Sequence, residues 1–168
     1  MPEKQQSSVL VDTGFIISVY DQSRPKHSVA YKYYKYFLRH NIKMYLSTVV
    51  ISEYQQMQSI VDLMNTGHFV TLPFNYDDSI KTADLSYNLG DVNRKDDPQA
   101  KYKDDIKLMG QASSRGITFI ITEDESTLAC YCNKLSKAKM FNPHVIVVGD
   151  KFDVTHFNNG QSALLDEE

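Results

Sequence analysis

The chain has 168 residues, 42% of them hydrophobic, enough for one domain with a continuous core and short for two. Eighteen basic against 21 acidic residues leave a net charge of −3, which excludes bulk electrostatic adhesion to nucleic acid as the basis of function. No stretch approaches the apolar length of a membrane span, and the polar start MPEKQQSS lacks the apolar run of a secretory signal, so a cytoplasmic protein without membrane contact is expected.

Residues 1–8 read as a flexible N-terminus. Val9-Leu10-Val11 is wholly apolar and runs into Asp12-Thr13-Gly14, the pattern of a central parallel strand buried on both faces and followed at once by a turn. Val29, Tyr33, Tyr36, Phe37 and His40 recur at helical spacing, which predicts an amphipathic helix over residues 28–40. A second strand is expected at 43–46. Ser47 then caps a helix predicted over 48–65, with Val50, Met57, Ile60, Val61 and Met64 turned inward and Glu53 in its second turn.

Thr66-Gly67 ends that helix, Phe69 to Leu72 forms a third strand, and Asp77-Asp78 opens a further helix closed by Gly90. Residues 91–103 are polar, contain Pro98 and show no apolar period, so an exposed loop is expected. A helix over 105–115, a strand over 117–121, a helix over 126–137 and a last strand over 144–148 complete residues 9–150 as one domain. Residues 151–168 form an acidic C-terminal extension expected to fray. Strands alternating with helices imply an α/β fold, a three-layer sandwich with a parallel sheet of about five strands and helices on both faces.

In such sheets ligands sit beyond the carboxyl ends of the strands. Asp12 and Asp124 fall at strand ends, and Glu53 and Asp105 lie on helices able to face the same crevice. Carboxylates within ~4 Å repel by about 4 kcal/mol per pair at an effective dielectric near 20, so such a cluster raises a pKa or recruits a cation. Asp105 is chosen over Asp104 because it shares a helical stripe with Leu108, Met109 and Ala112, whereas Asp104 suits a cap or a solvated acid. Taken singly, Asp12 and Asp124 fit turn-forming residues and Glu53 a surface residue; the joint placement carries the inference.

VLVDTGFI, LSTVVISEY, DDIKLMGQA and GITFIITED together resemble the four motifs of the PIN-domain family, which includes the VapC toxins of bacterial toxin-antitoxin pairs. The resemblance covers residues 9–148 and implies strand order 3-2-1-4-5 and a metal-dependent endoribonuclease. By it Asp12, Glu53, Asp105 and Asp124 are the catalytic acids. It further implies that Asp12, Asp105 and Asp124 hold Mg²⁺ or Mn²⁺, the cations that hard oxygen ligands select. Thr13 and Thr122 are candidates for orienting these carboxylates from behind. Candidate partners are RNA, an antitoxin protein and a second copy of the chain. Gly14 departs from the family pattern, which often has Ser or Asn there.

From Gln22 through Ser52 there is no acidic residue, while Arg24, Lys26, Lys32, Lys35 and Arg39 are candidates for tracking an RNA backbone, with Tyr31 and Tyr34 as stacking platforms. A solvated helix face is the plainer reading of that island. Cys130 and Cys132 stand two apart and read as free thiols, and the five histidines are scattered. No P-loop, dinucleotide glycine fingerprint or Ser-His-Asp pattern is present, and Asp12-Thr13-Gly14-Phe15 does not supply the Asp-x-Asp of haloacid-dehalogenase phosphatases. The alternative to a nuclease is an inactive PIN-like module that binds RNA or docks a protein.

Overall fold

The structure, a computed structural model, describes residues 6–90 and 99–157, with side chains from residue 103 in the second stretch. In chain order the elements are β1 (Ser8–Val11), α1 (Thr13–Tyr20), α2 (His27–Arg39), β2 (Lys43–Ser47), α3 (Thr48–Met57), α4 (Val61–Asn65), β3 (Phe69–Leu72), α5 (Tyr76–Leu89), α6 (Gln99–Ser114), β4 (Phe119–Thr122), α7 (Leu128–Lys137) and β5 (His144–Val147), with a final 3₁₀ turn at Val154–Phe157. The five strands pair in parallel in the order β3-β2-β1-β4-β5. β1 and β4, the apolar runs SVLV and FIIT, are buried throughout, as the centre of a sheet covered on both faces requires. The chain steps from β1 through β2 to β3 with α1 to α4 between them, then returns past β1 to β4 and β5 with α5, α6 and α7 packed together; the right-handed rule for parallel crossovers assigns these two sets of helices to opposite faces. The strand order therefore reverses between β1 and β4, and the crevice beyond their carboxyl ends is the topological switch point.

Several expectations are corrected. The chain does not turn after Asp12 but enters α1, whose TGFIISVY is apolar on nearly every side and largely buried, so it shows no amphipathic period. The helix expected over 48–65 is two helices. Gln58 is extended and the Gln55 side chain accepts from the Ile60 amide, and on either side of the break Met57 and Val61 face solvent, 59% and 57% exposed. Residues 99–103 of the expected loop belong to α6, while 91–98 lie outside the described residues.

The C-terminal extension does not fray at its start. The Asp153 amide donates to Tyr33 Oη (3.1 Å), Phe152 packs on Tyr33, and Phe157 stacks on Tyr36 and makes an edge-to-face contact with Phe119. His144 Nε2 and His156 Nδ1 also meet there at 2.8 Å. Residues 158–168 lie outside the described residues.

α5 and α6 form an antiparallel hairpin fixed by two contacts. At Gly110 an added Cβ would lie 2.0 Å from Thr82 Oγ1 and 2.9 Å from the Thr82 nitrogen, so no larger residue fits without parting the helices. One turn further on, Asp78 is fully buried. It closes a capping box with Asn75 and receives Ser114 Oγ and a fork from Arg115, Nε to Oδ1 at 3.0 Å and Nη2 to Oδ2 at 3.3 Å. Burial acts to raise the Asp78 pKa, but the Arg115, Ser114 and Asn75 hydrogen bonds prevail and hold it below the ordinary carboxylate value.

Candidate active site

Each acid is positioned by its own element. Asp12 is the N-cap of α1, its Oδ1 accepting from the Thr13 amide (2.7 Å). Its Oδ2 accepts from Thr122 Oγ1 (2.6 Å), and the same hydroxyl accepts from the Asp124 amide (2.9 Å), so one threonine at the end of β4 ties the two strand-end acids together. Glu53, half-buried in the second turn of α3, accepts from Thr13 Oγ1.

Asp105 comes from above. Gln111 of α6 receives the Ser47 hydroxyl and donates to the Leu72 carbonyl (3.1 Å), which sets it level with the last residues of β2 and β3. Six residues earlier, Asp105 lies about 9 Å further along the helix axis, beyond the strand ends. Leu108, Met109 and Ala112 of its stripe are buried, whereas Asp104 pairs with Lys107 (2.8 Å) on the solvent side.

The acids sense one another. Burial drives the Asp12 pKa up to about 6; the Thr122 and Thr13 hydrogen bonds oppose this, and the charges of Glu53 and Asp124 add to it. Burial likewise lifts Asp105 to about 7 against a hydrogen bond from Thr127, with Asp12, Asp124 and Glu53 raising it further. Asp105 Oδ2 is buried and has no hydrogen-bond partner among the described residues.

Asp124 is the exception, held below its ordinary value. Burial raises it, but the Thr127 and Ser126 hydroxyls and amides prevail, with Ser126 N, Ser126 Oγ and Thr127 N each 2.9 Å from Oδ1 and Thr127 Oγ1 on Oδ2. Thr127 thus stands between Asp105 and Asp124, a position that sequence reasoning did not single out. Glu123 was also missed. It lies over Gly14 and pairs with Arg24 (3.3 Å).

The donor set is oxygen only, which suits a hard divalent cation, and the partnerless Asp105 oxygen is an atom such a cation would satisfy. Among the described residues no three His, Cys, Asp or Glu side chains stand close enough to ligate one ion directly.

The basic residues are dispersed. Arg24 reaches the rim of the crevice through Glu123, and Lys26 is the N-cap of α2. Lys32, Lys35 and Arg39 lie on the exposed face of α2, and Arg39 is about 18 Å down the axis from the helix start, toward the opposite ends of the strands. Tyr31 is 42% exposed, with the Lys35 ammonium 5.3 Å over its ring, but Tyr34 is buried between Tyr20 and His68 and offers no surface for a base. Cys130 and Cys132 are free thiols; burial, with the Asp105 charge, pushes the Cys132 thiol up. No helix among the described residues is long and apolar enough to cross a membrane.

No protein-family model matches the chain, and no curated protein does. Solved structures do. VapBC2 from Rickettsia felis, bound to a DNA fragment from its promoter, matches with a TM-score of 0.55 and 11% identity over 82% of this chain and 97% of that one. A toxin-antitoxin complex from Klebsiella pneumoniae matches with a TM-score of 0.56 and 14% identity over 85% and 99%. A sarcin-ricin-loop-cleaving VapC toxin from Mycobacterium tuberculosis matches with a TM-score of 0.50 and 13% identity over 73% and 95%. Strand order, parallel pairing and coverage agree, and the chain has the PIN-like fold of the VapC toxins.

Proposed function

We propose that the chain is a Mg²⁺- or Mn²⁺-dependent endoribonuclease that acts at the crevice between β1 and β4, as the toxin of a toxin-antitoxin pair. The observation that carries this reading is the pair of carboxyls, Asp12 and Asp105, held near neutrality in their proton affinity at the switch point of the sheet. Perturbed titration in a crevice of this kind marks functional sites. The fold shared with VapC structures supports the reaction class, and the toxin-antitoxin assembly of those neighbours supports an antitoxin partner.

Asp12, Asp105 and Asp124 would hold the cation in part through its bound waters, and Asp12 and Asp105 would give up their protons as they do so. When bound, a divalent cation lowers the pKa of an attacking water and offsets the charge that develops on the phosphodiester. Thr122 and Thr127 fix the carboxylates of Asp12 and Asp124 so that little reorientation is needed. Glu53, held by Thr13, orients the water on the α3 side.

The test is cleavage of single-stranded RNA by the purified chain in Mn²⁺, with Asp12→Asn as control and Mn²⁺ affinity followed calorimetrically against pH. Cleavage lost in the variant, and affinity that climbs with pH through about 6 to 7, are expected. RNA left intact by the wild-type chain, with no Mn²⁺ uptake, would leave the inactive RNA-binding or docking module as the reading. The full engagement of Asp124 by Ser126 and Thr127 is the observation that favours that second reading.

A further inference from the structure

The Arg24–Glu123 pair is unlike the other arginine–carboxylate pair among the described residues. Arg115 grips Asp78 with two nitrogens on two oxygens of a fully buried carboxylate. Arg24 reaches Glu123 with a single nitrogen at 3.3 Å, its Nε is a long 3.5 Å from Ser18 Oγ, and its side chain is 43% exposed. Glu123 Oε1 is buried with no hydrogen-bond partner among the described residues. A one-point pair open to solvent on one side contributes little to stability and exchanges readily.

The arginine is nevertheless rigidly supported. Its amide donates to the Asp21 carbonyl (3.1 Å), its carbonyl accepts from the His27 amide (3.0 Å), and Ser23 donates from both nitrogen and hydroxyl to Asp21 Oδ1. His27 Nδ1 meets the Ser18 carbonyl at 2.8 Å, which pins the loop to α1. Glu123 lies across the first turn of α1, its Cβ 3.7 Å from where a Gly14 Cβ would be, an ordinary van der Waals contact. The guanidinium therefore waits at the rim of the crevice, beside the segment that carries Thr122 and Asp124. Several of its five donors are uncommitted.

We propose that Arg24 receives a backbone phosphate of the RNA next to the bond being cut, and that Glu123 is a positioning residue that occupies Arg24 in the free protein and releases it when the phosphate arrives. The inference rests on the ribonuclease reading. A phosphate offers the planar fork a two-point contact that Glu123 does not, so exchange gains a charge-assisted hydrogen bond. The carboxylate that holds Arg24 in register also competes with RNA for it, and in this way sets how strongly the strand is held.

The experiment measures binding of a short single-stranded RNA of mixed sequence by fluorescence anisotropy in Ca²⁺, with RNA integrity checked on a gel. Wild type is compared with Arg24→Ala, Glu123→Gln, Glu123→Ala and the double variant Arg24→Ala/Glu123→Gln, each checked by thermal melting. Arg24→Ala should weaken binding by about tenfold and reduce the salt slope by about 0.7, the release expected for one single-strand phosphate contact. Glu123→Gln should tighten binding about three- to tenfold, and this gain should vanish in the Arg24→Ala background, as a coupled pair requires. If Glu123→Gln does not fold, Glu123→Ala carries the same expectation.

Glu123 variants that bind no better than wild type, or that gain equally with and without Arg24, would overturn the proposal. So would an Arg24→Ala affinity and salt slope equal to wild type. A wild-type chain that neither binds nor cuts RNA would overturn the ribonuclease reading itself, a result distinct from these.

Discussion

Asp78 and Asp105 both sit on the α5–α6 hairpin with carboxyl oxygens withdrawn from water, yet the first is held below its ordinary pKa and the second is raised to about 7. Asp78 has a capping amide, a hydroxyl and an arginine fork, so every lone pair that burial takes from solvent finds a donor. Asp105 faces three other acids and keeps an oxygen with no partner among the described residues. Burial alone therefore does not say what an acid is for. An acid whose needs are met within the fold serves the fold, and one left short is available to something from outside it.

The contrast is sharpest when each acid is removed. Asp78→Ala removes the capping box and leaves Ser114 and the partly exposed Arg115 without their carboxylate, and should cost about 1–3 kcal/mol, read as a lowered denaturation midpoint. Because its folded pKa is depressed, the stability Asp78 contributes is present above the unfolded value and lost as pH falls through the folded one. Asp105 has the opposite sign. Its raised pKa means the folded chain binds more protons than the unfolded chain between about pH 4 and 7, so metal-free stability falls as pH rises through that window. Asp105→Asn removes this, and should stabilise the metal-free protein by roughly 2 kcal/mol at pH 8 and by almost nothing near pH 4, as melts in EDTA would reveal. In Mn²⁺ the order should reverse, with the wild type gaining and the variant not.

Smaller changes probe the frame around both acids. Gly110→Ala should cost about 1–3 kcal/mol by forcing α6 away from Thr82, measured as a lower urea midpoint. Thr127→Val keeps the volume but frees Asp124 and Asp105 from their shared hydroxyl, and should weaken Mn²⁺ binding about tenfold with little change in melting.

The sheet was legible from the chain because its central strands are short apolar runs bounded by turn residues, and β1 and β4 need no period to be recognised. α1 was hidden for the same reason, since a helix buried on almost every side shows no stripe. The break after Met57 was hidden because it depends on a side-chain contact, Gln55 to the Ile60 amide. Within the candidate site, the choice of Asp105 over Asp104 followed from helical phase. Thr127 and Glu123 could not be found that way, because what singles them out is a neighbour far along the chain: Asp105 for one, Gly14 and Arg24 for the other. The docking of Phe152 and Phe157 was missed because two aromatics in a polar tail carry no period, and only the face of α2 gives them a destination.

The close approach at Gly110 also bears on how a mutational scan of this protein should be interpreted. Gly110 is five residues, about one and a half turns, from Asp105 on the same rod, and a side chain there would tilt the rod that suspends the acid over the crevice. On the proposed ribonuclease reading, a saturation library scored only by RNA cleavage would register substitutions at 110 as active-site hits although the position touches nothing that reacts. Scoring the same library for protein abundance would unmask it, since Gly110 variants should lose both signals while Asp105 variants lose only one.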